Sequence, residues 1–477
     1  MVMLITPRDS VIKLRYRDSI GITAFFGMAM LGLAQFCLTS QIVLAPLLLG
    51  GARPWAMAIL TLLTGVGLVA ITVKIRTNST IKLPPAIKQI ALAGLLISIW
   101  LALQAAPIWP IQPAPFEARQ IALYPTAFCG VIGNLIWLIG TYILAALIAQ
   151  NRGPAFPRLI IMAVIISGCF QILLAGIADI LALETTFWFA KQSHLGDWTG
   201  SFANRNAFGG LMGISVLGCL YVFCAKPAAS PGQRIDTSGG WLALALIFTA
   251  ALTQSHSRSA LVALTITVPG FAMLYRPDRL RIGHWRWGYP VILILAALII
   301  LIIITMATPE IARRFAQLAR PDLIQRDDAW ATAIIAISHR PFAGYGPGSI
   351  AVVLDHFATN NLNRNAQWFS SHNLWLDITI TLGIPATLSL IGFGLYRWVK
   401  ALRALQSGLD RALLVTLGVQ FAIMATFGWV AGLPALVLPL LCLLAGLEAA
   451  PPLRPDAGHQ YRTAPRQSGP QDQDHAI

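Results

Sequence analysis

Arg258, Arg326 and His372 are the residues of this sequence best suited to chemistry. An arginine offers a fixed planar fork of donors that matches phosphate oxygens, and a neutral imidazole can take a proton from a hydroxyl. Arg258 stands in Ser255-His256-Ser257-Arg258, a tight hairpin between two apolar runs. Arg205 stands in Ser201-Phe202-Ala203-Asn204-Arg205-Asn206, and His372-Asn373 follows Ser370-Ser371. Each of these clusters enters an apolar run and so sits at a helix N-terminus. Free N–H groups and the helix dipole favour an anion there. The natural ligand is therefore an anionic headgroup, touched by Arg258, Arg326, Asn204, Arg205, Asn206 and Asn373. A plainer reading stands beside this one: Arg205 snorkels to an interface and the asparagines cap helices. For His372, the positive end of a dipole should hold the ring neutral, with Ser370 and Ser371 as N-cap candidates and Asp377 orienting the Asn373 amide. The plainer alternative is an interfacial histidine that simply caps.

The polar interval Thr308 to His372 holds more of the same residue types. Pro321 to Ser338 has the pattern of a short amphipathic helix, and Arg326 and Trp330 lie one turn apart on it. The indole of Trp330 either holds the guanidinium over its ring or wedges the helix onto the membrane domain. Asp327-Asp328 invites a metal reading, but no third ligand stands at a suitable spacing, and a solvated helix face is the commoner use of such a pair. The run Gly344-Tyr345-Gly346-Pro347-Gly348 lacks the Gly-Lys-Ser/Thr ending of a nucleotide phosphate loop and reads as a tight turn. No metal and no cofactor is expected.

These residues have to be positioned by a membrane domain. The chain has 477 residues, of which 56% are hydrophobic and only 11% charged, too little charge to cover a soluble surface of this size. The net charge of +15 lies in short clusters between apolar runs, which topology explains better than nucleic acid does. The 6 cysteines lie in or beside apolar segments and suggest neither disulfides nor a metal site.

Runs of roughly twenty residues, long enough to span a bilayer, fall at 22–48, 54–73, 89–106, 128–149, 159–182, 206–224, 240–255, 258–275, 289–307, 373–396, 412–428 and 430–449. The expected fold is thus an all-α polytopic membrane protein with about twelve transmembrane helices and one long periplasmic loop. Basic residues such as Lys74, Arg76, Lys82 and Lys88, or Arg397, Lys400, Arg403 and Arg411, mark inner loops and put both ends inside. The expected organisation is a cytoplasmic N-terminus at 1–19, helices 1–9 over 20–307, the periplasmic loop at 308–372, helices 10–12 over 373–449 and a disordered tail at 450–477.

Taken together, Ser201 to Asn206, Ser257-Arg258-Ser259-Ala260, Arg326 with Trp330, Arg340 to Gly348, and His372-Asn373 followed by Leu382-Gly383-Ile384-Pro385 resemble the O-antigen ligase and polymerase family of membrane glycosyltransferases, the Wzy/WaaL type. No one motif is specific alone; their order and spread over Phe202 to Pro385 carry the resemblance. It implies a GT-C-like fold and transfer of a glycan from an undecaprenyl diphosphate carrier to an acceptor hydroxyl, on lipid A-core or a growing polysaccharide, at the periplasmic face of the inner membrane. It also implies that Arg258 and Arg326 bind the diphosphate and that His372 activates the acceptor. Trp330 and the asparagines would line the site. Ala207 and His256 depart from the family's usual pattern.

The competing class is a transporter or flippase for lipid-linked sugars, which should show charge near the bilayer midplane and two related halves. A non-catalytic assembly partner would need no arginines and histidine at helix entries.

Overall fold

Apolar runs bounded by Pro, Gly and polar clusters become helices because a bilayer leaves backbone groups no partner but each other. The computed structural model describes residues 7–77, 84–112, 116–225, 238–275, 326–363 and 367–449. The α-helices are α1 (Pro7–Leu47), α2 (Pro54–Thr77), α3 (Pro85–Ala105), α4 (Phe128–Arg152), α5 (Phe156–Ile180), α6 (Arg205–Ala225), α7 (Ser238–Gln254) and α8 (Arg258–Leu274). After these come α9 (Arg326–His339), α10 (Ile350–His356), α11 (Leu374–Leu382), α12 (Ile384–Ala404), α13 (Gly408–Thr426) and α14 (Pro434–Ala449). No named strand occurs among the described residues, which hold a single isolated bridge between Thr185 and Ala190.

The chain is a multi-pass membrane protein. Among the described residues, 6 helical stretches are long and apolar enough to cross a membrane, one of them the 56-residue Pro125–Ile180 that contains α4 and α5. α8, α14 and Gly239–Gln254 within α7 are apolar but shorter. The expected run at 289–307 and the tail at 450–477 lie outside the described residues. Helix α1 starts at Pro7, well ahead of the run expected from residue 22.

One expected span proves to be two helices. The run 373–396 breaks between α11 and α12 at Gly383, whose φ is +82°. A Cβ there would meet the Phe342 carbonyl oxygen at 2.4 Å. Residues 341–346 lie in the notch: Ile384 N donates to Pro341 O at 2.7 Å, Tyr345 N to Ile380 O at 2.8 Å and Gly346 N to Thr381 O at 3.0 Å. Gln104, at the end of α3, donates through Nε2 to both Ala343 O and Thr381 O. The glycine run is therefore a turn, as expected, and the break in the helix receives it.

Helix packing aligns the entries of α6 and α8. Gly209 faces α8 so closely that a Cβ would stand 2.9 Å from Ala260 Cβ, the small-residue contact that lets membrane helices approach. Inside the bundle, Gln41 Oε1 accepts from Thr64 Oγ1 at 3.0 Å and Trp137 Nε1 at 3.1 Å, joining α1, α2 and α4.

The group Arg397, Lys400 and Arg403, expected in an inner loop, lies inside α12, which runs on to Ala404; Arg411 lies inside α13. Arg397 is buried and paired with Glu448 of α14, with Tyr142 and Gln89 completing the cluster. Extending α12 is possible because the charge is neutralised where it enters the protein.

The described part of the polar interval, residues 326–363 and 367–372, is folded. Ala333 and Ala336 of α9, Tyr345, Val353 and Leu354 of α10, and Ile380 of α11 form a small core of their own. Tyr345 donates to Ala336 O at 2.8 Å, and the Arg340 guanidinium stands 4.9 Å from the Tyr345 ring centroid. Helix α9 begins at Arg326; the residues 321–325 expected to start it lie outside the described residues.

Candidate active site

The N-terminus of α6 is capped by Asn204, whose Oδ1 accepts from Asn206 N at 2.8 Å. Asn206 is buried, and its own Oδ1 accepts from Ser257 Oγ at 2.7 Å. Ser257 in turn caps α8 through the N–H of Ala260. The two helix entries are thus locked together, so that Arg205 and Arg258 start neighbouring helices. Asn204 and Asn206 serve this framework with their carbonyl oxygens.

Asp197, in the connection before α6, ties the cluster down. Its buried carboxylate accepts from Arg205 at 2.6 Å and lies 2.7 Å from His256 Nδ1, with His194 Nδ1 at 3.9 Å. Arg205 Nε is buried and has no hydrogen-bond partner among the described residues. Neither Asp197 nor His194 is singled out by the sequence reading. Their signal there is no more than Gly196-Asp197-Trp198 in a polar stretch before a helix entry.

Arg326 opens α9 and donates to the Phe427 carbonyl at 2.9 Å, where α13 ends. Trp330, one turn on, packs its ring 6.1 Å from that of Phe427, so the indole acts as a wedge against the bundle. Its Nε1 is buried without a hydrogen-bond partner among the described residues. Burial first, then the charges of Arg258 and Arg205, push the Arg326 guanidinium down to about 10. It stays positive at neutral pH, and the mutual repulsion places the three guanidinium groups in one electrostatic field. Asp327 and Asp328 lie in the same first turn, and Asp327 is exposed.

His372 lies within the same field. Burial first, then Arg326 and His194, push its imidazole down to about 4, so the ring is neutral at pH 7. The sequence places this effect on a helix dipole, but the α11 terminus is already occupied. Asn373 is the N-cap, and its Oδ1 accepts from the N–H groups of Trp375 and Leu376. Ser370 and Ser371 are not caps, and Asp377 does not orient the amide. Instead Asp377 accepts from Ser370 Oγ at 2.5 Å, Ser371 N at 2.8 Å and Ser371 Oγ at 2.7 Å. Ser370 Oγ then accepts from His372 N at 2.9 Å, and Trp368 meets the imidazole edge-on at 5.8 Å. The carboxylate one turn into α11 builds the turn that presents His372.

His194, His256 and His372 all have positive φ, at 58°, 50° and 58°. Such backbone in residues other than glycine costs on the order of 1–3 kcal/mol each and is retained where the surroundings over-determine it. The arrangement sets the guanidinium groups of Arg205, Arg258 and Arg326 within electrostatic reach of one another and of a neutral imidazole. It can hold a polyanion and take a proton from a hydroxyl beside it.

The O-antigen ligase family model matches residues 242–391, in accord with the O-antigen ligase and polymerase family. The match holds Arg258, Arg326, Trp330, His372 and Asp377, and leaves His194, Asp197 and Arg205 outside it. No curated protein matches the chain.

Proposed function

Because residues 242–391 match the O-antigen ligase family, we propose that this chain transfers a glycan from undecaprenyl diphosphate to a hydroxyl of lipid A-core or of a growing polysaccharide. The observation that carries this reading is the shared field of Arg205, Arg258 and Arg326, with His372 held neutral at its edge. The diphosphate lies across Arg258 and Arg326, with the free Nε of Arg205 and the unused N–H of Trp330 as further donors. The acceptor oxygen attacks the anomeric carbon while the glycosyl–phosphate C–O bond breaks. Its electron pair leaves on the lipid diphosphate, where the guanidinium groups stabilise the growing charge. The acceptor's proton passes to the His372 imidazole. An imidazole titrating near 4 is a weak base, but a bound anion offsets the Arg326 charge and raises its basicity when substrate is present. One displacement inverts the anomeric centre, and the guanidinium groups supply the charge stabilisation, so the mechanism we propose is metal-independent. The site faces the periplasm from the inner membrane.

The test is transfer by the purified protein in liposomes, given undecaprenyl-diphosphate-linked glycan and an acceptor polysaccharide. Transfer by the wild type and its loss in Arg258→Ala and His372→Ala is expected; full activity in either variant removes that residue from the mechanism. Deletion in the native host reads the acceptor: long lipid-linked chains beside bare core mark a ligase, and single lipid-linked repeat units mark a polymerase.

A further inference from the structure

We propose that a cavity beside the arginine cluster is a binding subsite for one sugar ring of the substrate, an inference that rests on the transfer reaction above. The cavity, of about 260 Å³, lies between the C-terminal end of α5 and the 182–200 connection, lined by Asp179, Glu184, Lys191, Asp197, Trp198 and Thr199. Asp197 is the shared wall: its carboxylate holds Arg205 and His256 of the anion site, while its backbone oxygen accepts from Lys191 Nζ at 3.0 Å.

The lining selects the chemical class. With the Asp197 carboxylate paired to Arg205, Asp179 and Glu184 still outweigh the one ammonium and repel a phosphate, so the part of the ligand that enters is not the diphosphate. Lys191 at 2.8 Å and the Gly196 N–H at 2.7 Å hold Glu184 below the usual carboxylate range, so it stays an acceptor for hydroxyl donors. Acceptors, an ammonium donor and the half-buried Trp198 together match the hydroxyls and C–H face of a pyranose. The volume lies below the roughly 300–1,000 Å³ of pockets for drug-sized ligands, which suits one ring and not a chain. Thr199 is 2% exposed and its hydroxyl has no hydrogen-bond partner among the described residues, a group left waiting in the wall.

Full-length protein in lipid nanodiscs tests this with three probes: undecaprenyl diphosphate, the same lipid bearing N-acetylglucosamine, and methyl pyranosides. Thr199→Val and Glu184→Gln are the variants. Removing an unpartnered buried hydroxyl does not lower thermal stability, so a loss of binding in a Thr199→Val protein whose unfolding midpoint is equal or raised is not a folding effect. If the ring comes from the donor, the wild type binds the sugar-bearing lipid more tightly than the bare one, and each variant narrows that gap roughly three- to tenfold. If it comes from the acceptor, both variants spare the lipid gap and lose the quenching of tryptophan fluorescence by methyl pyranosides. Unchanged behaviour with all probes in both variants, while bare undecaprenyl diphosphate still binds, overturns the subsite and leaves the transfer reaction standing. No binding of bare undecaprenyl diphosphate by the wild type overturns the arginine site, and the subsite falls with it.

Discussion

Arg326 donates to the Phe427 carbonyl at 2.9 Å, which fixes the first turn of α9 to the end of α13. One arm of the guanidinium is thereby committed to the protein. A lysine keeps the charge but has no planar fork with which to serve both partners. Arg326→Lys is expected to lower kcat by about a hundredfold or more, in the range found for loss of one donor to a developing anion. Steady-state transfer assays check this; wild-type turnover in the variant would leave Arg326 only a steering role.

The neutral His372 predicts the acid limb of the pH profile. Its pKa is depressed to about 4, so the neutral base persists as pH falls from 7 and is lost as pH passes down through about 4. The limb of kcat/KM reports the free enzyme and should lie there. The limb of kcat reports the substrate complex, in which the bound diphosphate offsets Arg326, and should lie at higher pH. Parallel limbs for the two constants would show that the anion does not sit beside His372. In Arg326→Gln, the imidazole titration followed by NMR should move up toward the ordinary histidine value near 6.5.

Asp377 accepts three hydrogen bonds from Ser370 and Ser371, and Ser370 in turn accepts the His372 N–H. An amide at this position keeps one acceptor oxygen and turns an NH₂ group toward a hydroxyl that now has to act differently. Asp377→Asn should lower kcat by about ten- to a hundredfold, the penalty of a base displaced by a fraction of an ångström, while donor KM stays within about twofold. A parallel rise in KM would place Asp377 in general folding and not in the aim of His372.

Helix existence was legible because apolar length and Pro or Gly boundaries dictate it in a bilayer, and Arg258, Arg326 and His372 could be grouped because each stands at or beside a helix entry. The partners of those residues were not legible. Asp197 meets His256 across 59 positions, and Asn206 meets Ser257 across 51, distances over which no periodicity operates. The spacing of one helical turn pairs Asp377 with Asn373, yet its carboxylate reaches back to the turn before the helix. The break in the run 373–396 did have a local signal, a glycine two residues before Pro385. An apolar run long enough to span a bilayer masks that signal.

Gly383 offers the sharpest test of that break. Its φ of +82° is one that residues with side chains rarely adopt, and a Cβ would lie 2.4 Å from Phe342 O, 2.6 Å from Phe342 C and 2.9 Å from Ala343 N. All of these are backbone atoms, so no side chain can swing aside to relieve the contact. Gly383→Ala should therefore destabilise the protein by on the order of 1–3 kcal/mol from the backbone conformation alone, with the steric contact adding to it. Thermal unfolding of the purified variant in detergent should show a lowered midpoint. The fragment 341–346 is hydrogen-bonded into this notch, and the same fragment leads from α9 to α10. Hydrogen exchange should consequently speed up at Tyr345 and Gly346 in the variant before it does so in α4 or α5. Equal protection at Tyr345 in variant and wild type would show that the notch does not hold the glycine run, and that the fold over Arg326 is secured elsewhere.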